Sequence, residues 1–190
     1  MSAAYCLAAP GHPLHGPYHD SEYGFPAEDE PVLFERLCLE INQAGLSWLT
    51  VLQKRPSFRA AFAGFEVDRV AAFDEADVAR LLADAGIVRN RQKIAAVIDN
   101  ARTIQALRRS HGSFAGWLAA HHPLSHDEWT RLFRRTFRFT GGLIVHEFLM
   151  SLGYLPGAHE PDCPVYARVL ALAPPWSRTA SAAPQTSLQA

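Results

Sequence analysis

The sequence predicts an all-α fold, and three observations carry that prediction. Apolar residues recur at helical spacing through most of its 190 residues, no stretch alternates apolar and polar side chains as a half-buried strand does, and Ser or Asp precedes several apolar runs where helix N-caps are needed. Glu30 to Ala44 reads as the first helix, with Leu33, Phe34, Leu37, Cys38 and Ile41 along one stripe and Gly45 ending it. Cys38 belongs to that stripe as a small core residue. A short connection, Leu46-Ser47-Trp48, leads into Leu49 to Lys54, and Pro56-Ser57 starts a separate helical turn through Phe62. Asp74 caps a helix carrying Val78, Leu81 and Leu82, which Gly86 terminates.

The next helix runs from about Asn90 to Arg109, turning Ile94, Val97, Ile98, Ala101, Ile104 and Leu107 inward. Ser113 and Ser125 are caps, the latter forming a capping box with Glu128. Gly141-Gly142 opens a helix through Leu152 that Gly153 closes. After Pro174-Pro175 the chain becomes rich in Ala, Ser, Pro, Thr and Gln with no stripe to bury, which predicts a disordered tail over 174–190. One domain over 1–173 is expected, since 48% hydrophobic content at this length supplies a sizeable core.

Nothing in the sequence reads as a leader peptide, and no apolar run approaches the roughly 20 residues of a membrane span. A soluble, cytoplasmic protein with no membrane partner is the expectation, and a monomer is the simplest state. Three widely spaced cysteines argue against a disulfide framework and are compatible with thiols kept for metal. Cys6 and His19 near one end, with His159 and Cys163 near the other, make up a two-Cys, two-His set that fills a tetrahedral zinc shell and points to a structural ion. Spacing by itself also fits two buried thiols and two surface imidazoles. A shared ion would join segment 1–28 to segment 153–173 and remove loop-closure entropy from the unfolded chain.

The net charge of −1 hides an uneven distribution. Arg89, Arg91, Lys93, Arg102, Arg108 and Arg109 have only Asp99 as a local acid, and a second basic run follows at Arg131, Arg134, Arg135 and Arg138. Acids gather early, in Asp20, Glu22, Glu28, Asp29 and Glu30. Such asymmetry permits a basic face for a polyanion on a molecule neutral in sum, although each run also fits a solvated helix face. Around 76–109 the pattern is helix, glycine-containing turn, helix. Gly86, Arg89, Asn90, Arg91 and Lys93 stand at the start of the second helix, where backbone N–H groups and the helix dipole suit one strand of a nucleic-acid backbone without reading bases.

Glu40 is the most informative single residue. At about 100° per residue it projects at the margin of the first apolar stripe, whereas Glu35, Arg36, Asn42 and Gln43 fall on the polar side. A carboxylate there is costly unless paired internally or reserved for a ligand that donates hydrogen bonds or carries positive charge. Tyr18, Tyr23 and Trp48 would give such a ligand aromatic walls, with the neighbouring His19 holding one wall in place through the metal.

Taken together, Tyr18-His19-Asp20, Leu39-Glu40, Gln43 to Trp48, Asp84 to Arg91 and His159-x3-Cys163 closely resemble the 3-methyladenine DNA glycosylase I family, within the helix-hairpin-helix glycosylase superfamily. The resemblance covers nearly the whole chain except the tail. It implies an all-α fold whose hairpin grips alkylated double-stranded DNA, a pocket for an everted alkylated adenine, hydrolysis of the N-glycosidic bond in base excision repair without a lyase step, and the zinc quartet. Carried over by residue, it implies that Glu40 recognises the base edge, that Trp48 stacks on the base, and that Tyr18 is a wall or polar contact. Ala8, where family members commonly place Trp, Tyr23 in place of a Trp, Ile41-Asn42 in place of a Gly-containing pair, and His146 in a position often held by Tyr depart from the pattern and bear on which alkylated base fits. The alternative reading is a zinc-stabilised DNA-binding module that recognises damaged duplex without catalysis.

Overall fold

A computed structural model describes residues 3–180 and contains, among those residues, α-helices and one short 3-10 turn but no strand. In chain order the helices are α1 (Ala3–Ala8), α2 (His15–Ser21), α3 (Glu30–Gln43), α4 (Trp48–Ala61), α5 (Val67–Ala71), α6 (Glu75–Ala83), α7 (Arg91–His111), α8 (Phe114–His121), α9 (His126–Thr136), α10 (Gly142–Ser151), α11 (Pro164–Ala171) and α12 (Pro175–Ala180).

The predicted caps are present. Ser47 accepts from Thr50 N at 3.1 Å, Asp74 and Ser125 each form a capping box, and Ser113 accepts from Gly116 N at 2.9 Å. Each satisfies donors that the first helical turn leaves open. Four expectations are corrected. Residues 48–61 form one helix that runs through Pro56, because burial of Val51, Leu52, Phe58 and Ala61 outweighs one missing ladder bond. The helix before the hairpin stops at Ala83, and Gly86 follows with an ordinary negative φ. Glycine is needed there for closeness instead: a Cβ would stand 2.9 Å from Ser57 Cβ and from Asp84 Oδ1. The chain also continues past residue 173 as α12, where Trp176 N donates to Gly153 O at 3.1 Å and its ring meets Tyr166. The rest of the expected tail lies outside the described residues.

The fourth correction concerns α3. It sits at the centre and packs against α4, α7, α8 and α10, so it has no polar face. Glu35, Arg36 and Asn42, expected outside, are buried together with Leu33, Phe34, Leu37, Cys38 and Ile41. Each has a partner. Arg55 and Arg59 both grip Glu35, Arg36 Nη1 donates to Ser151 O at 2.7 Å, and Asn42 Nδ2 donates to Cys38 O at 2.8 Å. Buried polar groups are retained at tolerable cost when satisfied in this way.

Candidate active site and metal centre

Glu40 is the exception on α3. It is 3% exposed, and among the described residues no hydrogen bond or ion pair reaches its carboxylate. Burial, followed by the neighbouring Glu147, raises its pKa well above the usual carboxylate range. Glu40 and Glu147 border one cavity of about 480 Å³, closed by the α3–α4 turn (Gln43, Ala44, Gly45, Leu46) and by the start of α10 (Gly141 to Ile144). A purine base fits such a volume. Glu147 was not anticipated. Its signal is a lone carboxylate within the apolar run Leu143 to Met150, a pattern that burial makes costly without a purpose.

The three predicted aromatic residues are all buried, and Tyr18 contacts both of the others. Tyr18 lies 5.0 Å from Trp48 and 5.7 Å from Tyr23 between ring centroids. They adjoin the two carboxylates, since Tyr23 Oη donates to Glu147 at 3.1 Å and the negative charge of Glu40 adds to burial in holding the Tyr18 phenol well above its ordinary pKa. They do not wall the cavity as expected. The Tyr18–Trp48 pair is closed with no gap for a base between the rings, and Tyr18 instead borders a separate cavity of about 380 Å³ with Glu22, Leu52, Arg55 and Arg59. The buried Trp48 indole N–H makes no hydrogen bond of good geometry, and its nearest polar neighbour is the Tyr5 hydroxyl, whose pKa it acts to lower.

Among the departures, Ala8 is exposed and borders neither of these cavities. His146 contacts the His126 ring at 4.9 Å, and burial lowers its pKa.

Cys6, His19, His159 and Cys163 come together, with one ligand atom from each lying within 4.8 Å of the others. Cys163 Sγ stands 3.7 Å from His19 Nε2 and 3.8 Å from His159 Nδ1, and Cys6 Sγ is 3.8 Å from the same Nδ1. A tetrahedral shell with Zn–S of about 2.3 Å and Zn–N of about 2.0 Å has S···N edges of about 3.5 Å, so the quartet needs little adjustment to receive an ion. The outer partners agree with that use. His19 Nδ1 donates to Asp20 Oδ1 at 2.7 Å and His159 Nε2 donates to Tyr23 O at 2.7 Å, which leaves each remaining ring nitrogen as a lone pair facing the sulfurs. Gly24 makes this packing feasible: its φ is +84°, and a Cβ there would meet Ala158 Cβ at 2.9 Å and the His159 ring at 3.3 Å.

The hairpin of α6 and α7 is held to α4 by Lys54, whose Nζ donates to Ala85 O and Gly86 O. Arg89 is exposed, and Arg91, also exposed, makes only a 3.6 Å pair with Glu75. Two predicted backbone contacts are corrected. Asn90 Oδ1 accepts from Gln92 N and Lys93 N as the α7 cap, and Lys93, 5% exposed, donates to Asn42 O at 2.9 Å and Ala44 O at 2.6 Å. Lys93 therefore closes the C-terminal end of α3, where carbonyls lack helical partners. The basic face is narrower than the local charge count implied, because acids distant in sequence neutralise part of it. Arg108 pairs with Glu30 and Asp68, and Arg102 spends its donors on Asp99, Ala71 O and Phe73 O.

Among the described residues, an all-helical architecture, a buried carboxylate without a partner beside a base-sized cavity, exposed arginines on a helical hairpin and a Cys2His2 cluster define a class of small helical protein built around a ligand cavity. Residues 8–129 match the family model described as methyladenine glycosylase. The chain is 39% identical over 173 residues to DNA-3-methyladenine glycosylase 1 of Escherichia coli strain K12, covering 81% of this chain and 92% of that protein. It is 34% identical over 166 residues to DNA-3-methyladenine glycosylase of Haemophilus influenzae, covering 77% and 89%. A crystal structure of a 3-methyladenine DNA glycosylase I variant in complex with 3-methyladenine superposes with a TM-score of 0.76 at 29% identity, over 85% of this chain and 96% of that one. The chain belongs to the methyladenine glycosylase family.

Proposed function

We propose that this chain is a DNA-3-methyladenine glycosylase that releases N3-methylated adenine from double-stranded DNA. The observation that carries the reading is Glu40, which among the described residues is the one buried polar side chain of α3 left without a hydrogen-bond or ion-pair partner, and which borders a cavity of about 480 Å³. Methylation at N3 makes adenine cationic, which both weakens the glycosidic bond and gives the base a charge for a buried carboxylate to favour over normal adenine. In the reaction a water oxygen bonds to deoxyribose C1′, the C1′–N9 bond breaks with its electron pair leaving on the base, and the water's second proton passes to solvent. Eversion costs a few kcal/mol and is least unfavourable for a damaged base, so recognition supplies much of the selectivity.

Glu40 reads the cationic edge, and its neighbour Glu147 adds to the negative field. Tyr18 and Trp48 part to admit the base against an aromatic face, and Tyr23 holds Glu147 in place. No lysine borders the cavity among the described residues, which favours a monofunctional enzyme without a strand-cleaving step. Arg89 and Arg91 contact the phosphate backbone together with the amides near Gly86. Cys6, His19, His159 and Cys163 would hold a structural zinc, which supplies rigidity beside Tyr18 and Tyr23 and takes no part in bond breaking. The protein acts as a monomer.

Incubation with alkylated genomic DNA, with mass spectrometry of the released bases, tests the reading. Free 3-methyladenine without strand nicking is expected, with most release lost in Glu40→Gln. Undiminished release by that variant would remove Glu40 from its role. Tight, salt-sensitive binding with no release even at protein excess would make the chain a binding module instead.

A further inference from the structure

Tyr5, on α1, sets its half-buried ring edge-on to three others, at 5.5 Å from His15, 5.6 Å from His19 and 5.9 Å from Tyr23 between centroids. It thus stands between the Cys2His2 cluster and the rings beside Glu40. Ala8, one turn further along α1, is exposed and brings no ring to that place.

The hydroxyl end is fixed as well. Tyr5 Oη lies 3.2 Å from His15 Nδ1, and His15 is itself held at the start of α2, where His12 Nδ1 accepts from Leu14 N and His15 N, each at 3.1 Å. Leu14 offers α2 no side-chain cap, so the His12 ring takes that duty. A phenol that donates to His15 Nδ1 keeps both oxygen lone pairs for other donors. One donor is at hand. Burial raises the Tyr5 pKa and the Trp48 indole N–H acts against that rise, which puts the N–H beside the phenol oxygen. The two nevertheless form no hydrogen bond of good geometry, and the buried indole nitrogen has no other partner among the described residues. A buried donor left unmet is costly, and a turn of the ring that satisfied it would recover that cost.

Base entry demands such a turn. The Tyr18 and Trp48 rings are closed at 5.0 Å, so a base that stacks on Trp48 has to part them. Tyr18 stands on α2 with His15, whereas Trp48 opens α4. The Tyr5 hydroxyl reaches both elements from behind the pair.

Resting on the glycosylase reading, we propose that Tyr5 is a positioning residue for base capture: when Tyr18 and Trp48 part, the Trp48 indole N–H donates to Tyr5 Oη, which donates in turn to His15 Nδ1, and this relay holds the Trp48 ring in the orientation that stacks on the methylated base. Tyr5 itself touches neither the base nor the reacting atoms. Its bond to Trp48 is complete in the base-bound state and missing in the resting one, so it adds to affinity for the base rather than to the resting fold.

Calorimetric titration of the full-length protein with free 3-methyladenine tests the relay. Tyr5→Phe keeps the ring and its edge contacts and removes only the hydroxyl. A Kd about three- to tenfold weaker is expected, with metal content and melting temperature as in the parent. His15→Ala is expected to lose as much, and His15→Asn, whose Oδ1 replaces Nδ1 as the acceptor, to stay within about twofold of the parent. The indole N–H gives a readout that a purely structural role would not move. Hydrogen exchange at Trp48 Nε1, followed by NMR with isotope-labelled tryptophan and assigned by its absence in Trp48→Phe, is expected to be about tenfold faster in Tyr5→Phe than in the parent when both are saturated with 3-methyladenine. Equal affinity of Tyr5→Phe and the parent, equal indole exchange in the two saturated proteins, or a loss in His15→Asn as large as in His15→Ala would overturn the proposal. A parent chain that neither binds 3-methyladenine nor releases it from alkylated DNA would sink the glycosylase reading itself, a result read on the parent before any variant is compared.

Discussion

At the scale of single residues, Glu40 sets function against stability. Its pKa is raised by burial and by Glu147, so the folded chain binds this proton more tightly than the unfolded chain does. The sign follows: stability tied to this group is complete below the unfolded carboxyl pKa of about 4.3 and is lost as pH rises through the folded value. Glu40→Gln, which cannot ionise, is therefore expected to melt at a higher temperature than the parent at pH 7–8 and to lose that advantage near pH 4. Each kcal/mol recovered raises the midpoint by about 2–4 °C in a chain of this size. Calorimetry at several pH values checks it, and a variant that is less stable at every pH would mean that the carboxylate has a structural partner. Glu40 was legible in the sequence because helical periodicity placed a charge beside an apolar stripe. Arg36 and Asn42 were not, because the groups that satisfy them, Ser151 O and Cys38 O, are set by packing and backbone geometry that a one-face helix pattern cannot register.

At the scale of elements, the hairpin separates two residues that its sequence makes equivalent. Lys93 and Arg89 are four apart in one basic run, yet Lys93 Nζ is tied to two carbonyls at the end of α3 while Arg89 faces solvent. Lys93→Ala leaves those carbonyls without a donor and is expected to cost about 1–3 kcal/mol of stability with little change in the salt dependence of DNA binding. Arg89→Ala is expected to do the reverse, leaving the melting temperature within a degree or two and reducing the salt slope by about 1. Denaturation and binding titrations on the pair resolve the two roles, and a Lys93 variant that lost salt slope would return that residue to the backbone. The capped, striped helix α7 was readable almost to its ends, and the starts of α6 and α9 were readable from their capping residues. The six-residue α1 and α12 were not, since neither carries a stripe long enough to register and each depends on contacts made elsewhere in the fold.

At the scale of the whole molecule, the Cys2His2 cluster brings α1 and α2 beside the segment that leads into α11, and through Asp20 and Tyr23 it reaches the rings beside Glu40. Purified protein is expected to carry about one zinc per chain. Cys163→Ala is expected to lose the ion and melt several degrees lower, with base release reduced as Tyr18 and Tyr23 loosen. Elemental analysis alongside calorimetry measures both, and a variant equal to the parent in melting and activity would leave the quartet without a supporting role. The four donors were legible in the sequence as one possible set, and the fold adds their closeness, with Cys6 Sγ 3.8 Å from His159 Nδ1 across 153 positions. Their division along the chain has one more effect. Cleavage in the exposed Gly112 connection would leave two donors on each piece, so that the cluster, beside the packing of α3 on α8 and α10, would span fragments no longer covalently joined. Release of a bound ion from such a nicked chain is expected to loosen its two terminal segments while the helical core keeps the pieces together.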